Sequence, residues 1–311
     1  MPPVAVTHCM ASSDIQSALR IFHLPFSFML PQRVAAERGY FEDEGLDVEL
    51  VERDRQRVDW KYVPADWTLT GDDNVDLYPV CKWESLRRTW SLGDGKIVAH
   101  GTFADLPYTL YTRPETPINS PADLAGVPVG VNRRTGQEYT AIKALEEYVD
   151  PDEIELEHFG MPTERLQALR DGDTDAITLL DPHSTLADHL GFEQVLAFEN
   201  HIGIVGTDAL DGDDLDGFMR AYGRAVEAIN DDPQAFRERY LAMLESDADI
   251  APDLFDDIDL ETVRESVTVP RYEVPELADP DELDGHLEWM KDRELIDDRA
   301  DIRTIVSPSS Q

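Results

Sequence analysis

The sequence predicts an α/β fold, and two stretches carry the prediction. Between Tyr108 and Tyr148, two short apolar runs (Tyr108–Thr112 and Val127–Val131) flank a Pro-rich turn, and a polar loop at Asn132–Gln137 leads into a helix-patterned segment. Between Leu166 and Pro182, a helical pattern stops at Gly172, and an apolar strand starts at Asp175-Ala176 and ends at Asp181-Pro182-His183. Strand and helix signals that alternate in this way belong to sheets covered by helices. At 311 residues the chain has material for one large domain or for two lobes of ordinary size.

The remaining elements follow from local pattern. Met1–Ser17 reads as a loose leader, in which His8 and Cys9 do not amount to a metal site. Leu19–Leu24 is a first strand, Pro25–Phe28 a turn, and Met29–Tyr40 a helix with Val34, Ala35 and Ala36 inward, ending near Gly39 ahead of a second strand. Glu52–Thr70 is polar and holds Trp60, Tyr62 and Trp67, which fits a surface excursion or a flap. The acid turn with Asp72, Asp73, Asn74 and Asp76 lacks the spacing and the closing Glu of a calcium loop. Leu77–Trp90 shows helical spacing, Lys96–Phe103 is a buried-type strand, and Glu155–Phe159 a short one. Phe192–Phe198 and Ile202–Thr207 read as two strands, Leu215–Ile229 and Pro233–Leu244 as amphipathic helices, Asp247–Asp259 as an acidic linker and Leu283–Ile296 as a last helix.

Charge is the outlier of the composition. There are 27 basic and 65 acidic residues, a net charge of -38, spread along the chain. Lysine occurs only at Lys61, Lys82, Lys96, Lys143 and Lys291. A dispersed acidic surface of this kind fits a protein adapted to high salt, where self-repulsion is screened. It argues against nucleic acid as a partner, because phosphate contacts need a basic face. No apolar run is long enough to insert in a membrane. Two cysteines, Cys9 and Cys81, make neither a disulfide framework nor a zinc pattern. No basic, apolar or lipobox-like leader pattern stands at the start, so the expected location is cytoplasmic as the sequence stands, and extracytoplasmic if the start is trimmed.

Three segments resemble a known family. SPADLAGVPVGV (Ser120–Val131), AAERGYFEDEGLDVEL (Ala35–Leu50) and LQALRDGDTDAITLLDP (Leu166–Pro182) look like segments of the solute-binding proteins of ABC importers, in the nitrate, sulfonate, taurine and thiamine-pyrimidine group. The resemblance implies a two-lobed fold of the periplasmic-binding-protein type II, or Venus flytrap, kind, with each lobe a mixed sheet flanked by helices. It implies lobe I from residues 18–107 and 201–311 and lobe II from 108–200, crossing near Leu106–Arg113 and Phe198–Gly206. It also implies a small organic ligand, anionic or heterocyclic, held between the lobes, and an importer permease as partner. The same family includes enzymes without leaders, such as thiamine-pyrimidine synthases and menaquinone-pathway lyases and dehydratases. The clustered cysteines of the iron-using synthases are missing, since Cys81 stands alone in its segment.

Candidate ligand-binding residues come from both readings. Amides at a helix start lack intrahelical partners and favour negative charge, which nominates Asn132, Arg133, Arg134, Thr135, Gly136 and Gln137. By position in the family, the turn before the first helix adds Phe26, Ser27 and Phe28, and the next helix start adds Tyr78, Lys82 and Trp83. Tyr108 is a candidate for packing a flat ligand. The end of the strand at Leu180 adds Asp181 and His183, because strand ends in open sheets face the ligand crevice. In an enzyme, Lys82, Asp181 and His183 are the acid–base candidates. No nucleophile elbow, P-loop, zinc-protease helix or dinucleotide fingerprint is present, and no cofactor is expected.

Overall fold

The computed structural model describes residues 18–52, 75–93, 95–208, 210–256 and 258–307. The leader, the excursion through Trp60, Tyr62 and Trp67, and Asp72, Asp73 and Asn74 of the acid turn lie outside these residues. Asp76, the last acid of that turn, accepts the Arg20 amide at 2.8 Å and so closes the first strand instead of facing a cation.

The strands are β1 (Leu19–His23), β2 (Val48–Glu52), β3 (Leu77–Val80), β4 (Lys96–Thr112), β5 (Val129–Val131), β6 (Leu156–His158), β7 (Ala176–Leu180), β8 (Glu193–Gly206) and β9 (Glu276–Leu277). The helices are α1 (Leu30–Glu37), α2 (Tyr40–Asp43), α3 (Lys82–Ser91), α4 (Gly136–Leu145), α5 (Pro162–Asp171), α6 (His183–His189), α7 (Gly212–Asp231), α8 (Arg237–Ile250), α9 (Pro252–Phe255), α10 (Leu260–Ser266), α11 (Pro280–Asp292) and α12 (Ile302–Ile305).

All strands join one sheet in the order β2-β1-β3-β8-β4-β7-β5-β6, with β9 on the free edge of β4. The long strands β4 and β8 pair antiparallel along most of their length. One half of the sheet extends from them through β3, β1 and β2, and the other through β7, β5 and β6. Each half mixes parallel and antiparallel neighbours, which makes a two-lobed α/β molecule sharing a central ribbon. Between the halves the ladder slips. Phe103 faces Asn200 and the next pair is Tyr108 with Phe198, so β4 carries extra residues, Pro107 among them, where the sheet bends.

Local chemistry explains the helices. Asp211 caps α7 by accepting the Asp214 amide at 2.8 Å, and Phe218, Ala221, Tyr222, Ala225, Val226 and Ile229 repeat at helical spacing to make its buried face. That face meets the first helices, with Phe218 stacked on Phe41 at 5.8 Å. Gly172 ends α5 with φ 80°, a conformation that costs glycine little. The helices of the tail reach the half that holds β5, β6 and β7: Arg170 donates to the Asp253 carbonyl at 2.8 Å, and His189 pairs with Ser266 at 2.6 Å. In α11, Trp289 donates to Glu146 at 3.0 Å, just past the end of α4.

Three expectations change. Leu77–Val80 is a strand rather than the first turn of a helix, because it is buried on all sides and paired with both β1 and β8. Pro79 there also lacks the N–H that a helix interior would use. The two strands expected at 192–207 are the single strand β8, continuous because it pairs with β4 on both sides of the bend. The linker expected from Asp247 instead begins inside α8, where Asp247 is fully buried.

The close packing of α3 on β8 is testable. A Cβ at Gly203 would lie 2.5 Å from Ser85 Oγ and 3.2 Å from the Lys82 backbone. Gly203→Ala should therefore destabilise the protein by about 1–3 kcal/mol in a denaturant titration.

Candidate functional site

Four strand-to-helix junctions open on one cleft between the halves of the sheet. They follow β1 (Phe26 to Met29), β3 (Cys81), β5 (Asn132 to Gln137) and β7 (Asp181 to His183), and all four line a space of about 930 Å³, part of it open to solvent. This is the crevice position expected at strand ends. The wall is apolar on one side. Phe26 and Phe28 stack at 5.4 Å and 14°, and Met161 and Met243 complete that side.

The polar side is built around α4. Thr135 caps it, with its hydroxyl donating to the Asn132 carbonyl at 2.7 Å and accepting the Gln137 amide at 3.3 Å. Gly136 starts the helix against the start of α3, where a Cβ would sit 2.2 Å from Cys81 Sγ. Only glycine lets the two helix starts approach this closely. Asn132 Oδ1, Gln137 Oε1 and Asn200 Nδ2 line the cleft, buried, without hydrogen-bond partners among the described residues.

Arg165 is the group with the strongest chemical consequence. Its side chain is 0% exposed and reaches the cleft from α5. Nε donates to the Thr178 carbonyl at 2.7 Å and Nη1 to the Gly160 carbonyl, while Nη2 has no partner among the described residues. Burial lowers its pKa to about 9, with Glu164 and Tyr108 opposing the shift, so it remains cationic at neutral pH. Arg88 also reaches the cleft, but it is paired with Glu84 at 3.0 Å.

At the end of β7, Asp181 accepts from the Thr185 amide at 3.2 Å, from the Thr185 hydroxyl and from the Tyr240 hydroxyl at 2.7 Å. Burial raises its pKa, against the lowering by those donors. His183 Nε2 lies 2.6 Å from Asp247 Oδ2, and both side chains are buried.

No family model and no curated protein matches the chain. Solved structures do. The periplasmic aliphatic sulphonate binding protein SsuA from Escherichia coli superposes over 94% of this chain and 93% of its own, with a TM-score of 0.65 and 14% identity. The alkanesulfonate-binding protein SsuA from Xanthomonas axonopodis pv. citri, bound to MOPS, covers 93% and 98% with a TM-score of 0.67 and 12% identity. The chain has the periplasmic-binding-protein fold. The desulfurization enzyme DSZB shares it, over 94% and 96%, with a TM-score of 0.59 and 15% identity.

Within this binding-protein fold the expected residues divide. Phe26, Ser27, Phe28, Tyr108, Asn132, Thr135, Gly136, Gln137, Asp181 and His183 all line the cleft. Arg133 and Arg134 do not. Glu138, in the first turn of α4, accepts from the Arg133 guanidinium at 3.1 Å and from the Arg134 amide, and holds this corner of the loop away from the cleft. Tyr78, Lys82 and Trp83 also lie off the wall. Helical spacing explains the last two: Cys81, Glu84 and Arg88 share the face of α3 that meets the cleft, so Lys82 and Trp83 turn elsewhere. Tyr78 is core beneath Arg88, whose guanidinium carbon stands 5.6 Å from the ring centre.

Lys82 and Trp83 join a buried cluster behind the hinge. Trp83 packs against His286 at 5.0 Å, Trp289 at 4.9 Å and His201 at 6.2 Å. Burial, then the Lys82 charge, lowers His201 to about 3 and His286 to about 4. Burial likewise lowers His100, against the pull of Glu282.

Sequence reasoning missed Arg165, Arg88, Asn200 and His201. Arg165 had a readable signal, a lone basic residue between Glu164 and Leu166 on the apolar face of a helix. Cys81, burial-shifted up to about 12, is a neutral thiol.

The histidine cluster sets a pH dependence. His201 and His286 stay neutral in the fold down to about 3 and 4, whereas in the unfolded chain they take protons below about 6.5. The unfolded state then binds more protons, so stability present above pH ~6.5 is lost as pH falls toward ~4, by up to about 1.4 kcal/mol per pH unit for His201 and by less for the part-exposed His286, where solvent screens the effect. Melting temperature should fall steadily over that range, and the double variant His201→Gln, His286→Gln should flatten the profile.

Proposed function

We propose that this protein is a solute-binding protein whose ligand is a small organic anion with a flat or apolar body. The observation that carries the reading is Arg165, a buried cation in the cleft lining that is held, among the described residues, only by carbonyl groups, with one donor left without a partner there. Desolvating a guanidinium without a carboxylate partner is costly, and an anionic ligand offsets that cost with charge-assisted hydrogen bonds. The start of α4 adds a favourable dipole beside it. Phe26, Phe28, Met161 and Met243 suit the body of such a molecule. The two SsuA proteins are named for sulfonates, and one is bound to MOPS, so sulfonates head the list of ligand classes, with carboxylates next. Delivery to an importer permease, or sensing, is the role this implies.

A second reading, an enzyme on the same fold, draws support from DSZB and from Asp181 and His183 sharing the cleft. The neutral Cys81 thiol supports the binding reading over a thiolate nucleophile. Lys82, away from the wall, is not an acid–base candidate in either case.

Calorimetric titration with benzenesulfonate, MOPS and benzoate tests the proposal. Arg165→Met should weaken the best binder by about 10–100-fold, the range of a lost charge-assisted hydrogen bond. Arg165→Lys should recover part of that loss, since it restores charge without the planar fork. Equal affinity in wild type and a folded Arg165→Met protein would remove the anion site.

A further inference from the structure

His183 and Asp247 form an arrangement that anion binding does not require. Asp247 is 0% exposed on α8, and His183 is 2% exposed at the start of α6. Their 2.6 Å contact joins Nε2 to a carboxylate oxygen. An ionised carboxylate only accepts, so a neutral imidazole facing it carries its proton on Nε2 and leaves the Nδ1 lone pair as an acceptor. Nδ1 has no hydrogen-bond partner among the described residues, and it is not among the buried atoms sealed from solvent. His183 lines the cleft. A histidine serving only to tie α6 to α8 would be expected to use its second nitrogen on a backbone group, as buried polar atoms generally do. Asp181, two residues away, is the contrast: its carboxylate already accepts from three donors.

We infer that Asp247 orients His183 as a hydrogen-bond acceptor for the ligand, so that the cleft selects organic anions that also carry a hydroxyl or N–H group over the same anions without one. This rests on the anion-binding reading and narrows it. Arg165 holds the charged group, and His183 reads a second group on the same molecule. A site built to accept a hydrogen bond discriminates against an analogue lacking the donor, because the acceptor is then left buried and unpaired. Asn132 Oδ1 and Gln137 Oε1, also unpartnered acceptors in the wall, act in the same direction.

The test needs no mutation at first. Benzenesulfonate, its 2-, 3- and 4-hydroxy isomers and the matching methoxy compounds are titrated into the wild-type protein. At least one hydroxy isomer should bind about tenfold or more tightly than benzenesulfonate, and its methoxy analogue should lose that gain. Asp247→Asn then tests the orienting role. An asparagine amide can donate to Nε2 and so move the ring proton to Nδ1, which turns the acceptor into a donor. The ratio of affinities for the hydroxy isomer and benzenesulfonate should collapse in that variant. If the sulfonates bind wild type but no hydroxy isomer is preferred, the inference falls while the anion site stands. An unchanged ratio in Asp247→Asn overturns the orienting role. If none of the probes binds, the anion reading itself fails.

Discussion

The antiparallel pairing of β4 with β8 is the constraint on which the rest of the structure depends. Because these strands pass through both halves of the sheet, the halves are not separate domains joined by linkers. The widest of the register shifts in their ladder falls between Phe103 and Tyr108, and the cleft lies beside it, with Tyr108 and Asn200 in its wall. The flanking strands then place their ends at the same crevice. Bending a ribbon at a bulge costs few hydrogen bonds, so the change of direction between the lobes is taken up in a short segment.

The site sets a local field against a global one. A chain with a net charge of -38 repels anions at long range, more weakly as salt rises. At contact distance that field matters less than a buried guanidinium and the start of α4, which are poorly screened. Glu138 pairs with Arg133 and Glu84 with Arg88, so Arg165 is the wall arginine without a carboxylate hydrogen bond among the described residues. On the anion-binding proposal, selectivity rests on its location more than on the number of arginines nearby.

The fold was legible in the sequence because its signals are local. The glycine stop at Gly172, the turn at Ser120-Pro121 and the apolar runs of β5 and β7 each depend on a few neighbouring residues. Cleft residues carried by backbone junctions, such as Thr135 to Gln137 and Asp181 to His183, could be read for the same reason. What could not be read depends on helix rotation and distant partners. Whether Lys82 or Glu84 faces the cleft is a matter of about 200° around one helix axis, and Arg133 is withdrawn by a carboxylate in the first turn of α4. Asp247 looked like one acid among many in a linker, and only packing against His183 distinguishes it. Arg165 is a cleft group because β7 brings the Thr178 carbonyl beneath it, a contact that sequence spacing does not encode.

The near-contact of Gly136 with Cys81 brings the starts of α3 and α4 head to head across a gap too small for a methyl group. Each start carries the positive end of a helix dipole. Two like poles this close repel, and nothing apolar placed between them removes the repulsion. Negative charge at the mouth of that gap is attracted to both poles at once. This part of the field at the cleft thus resides in peptide groups, which a substitution elsewhere in the wall leaves in place.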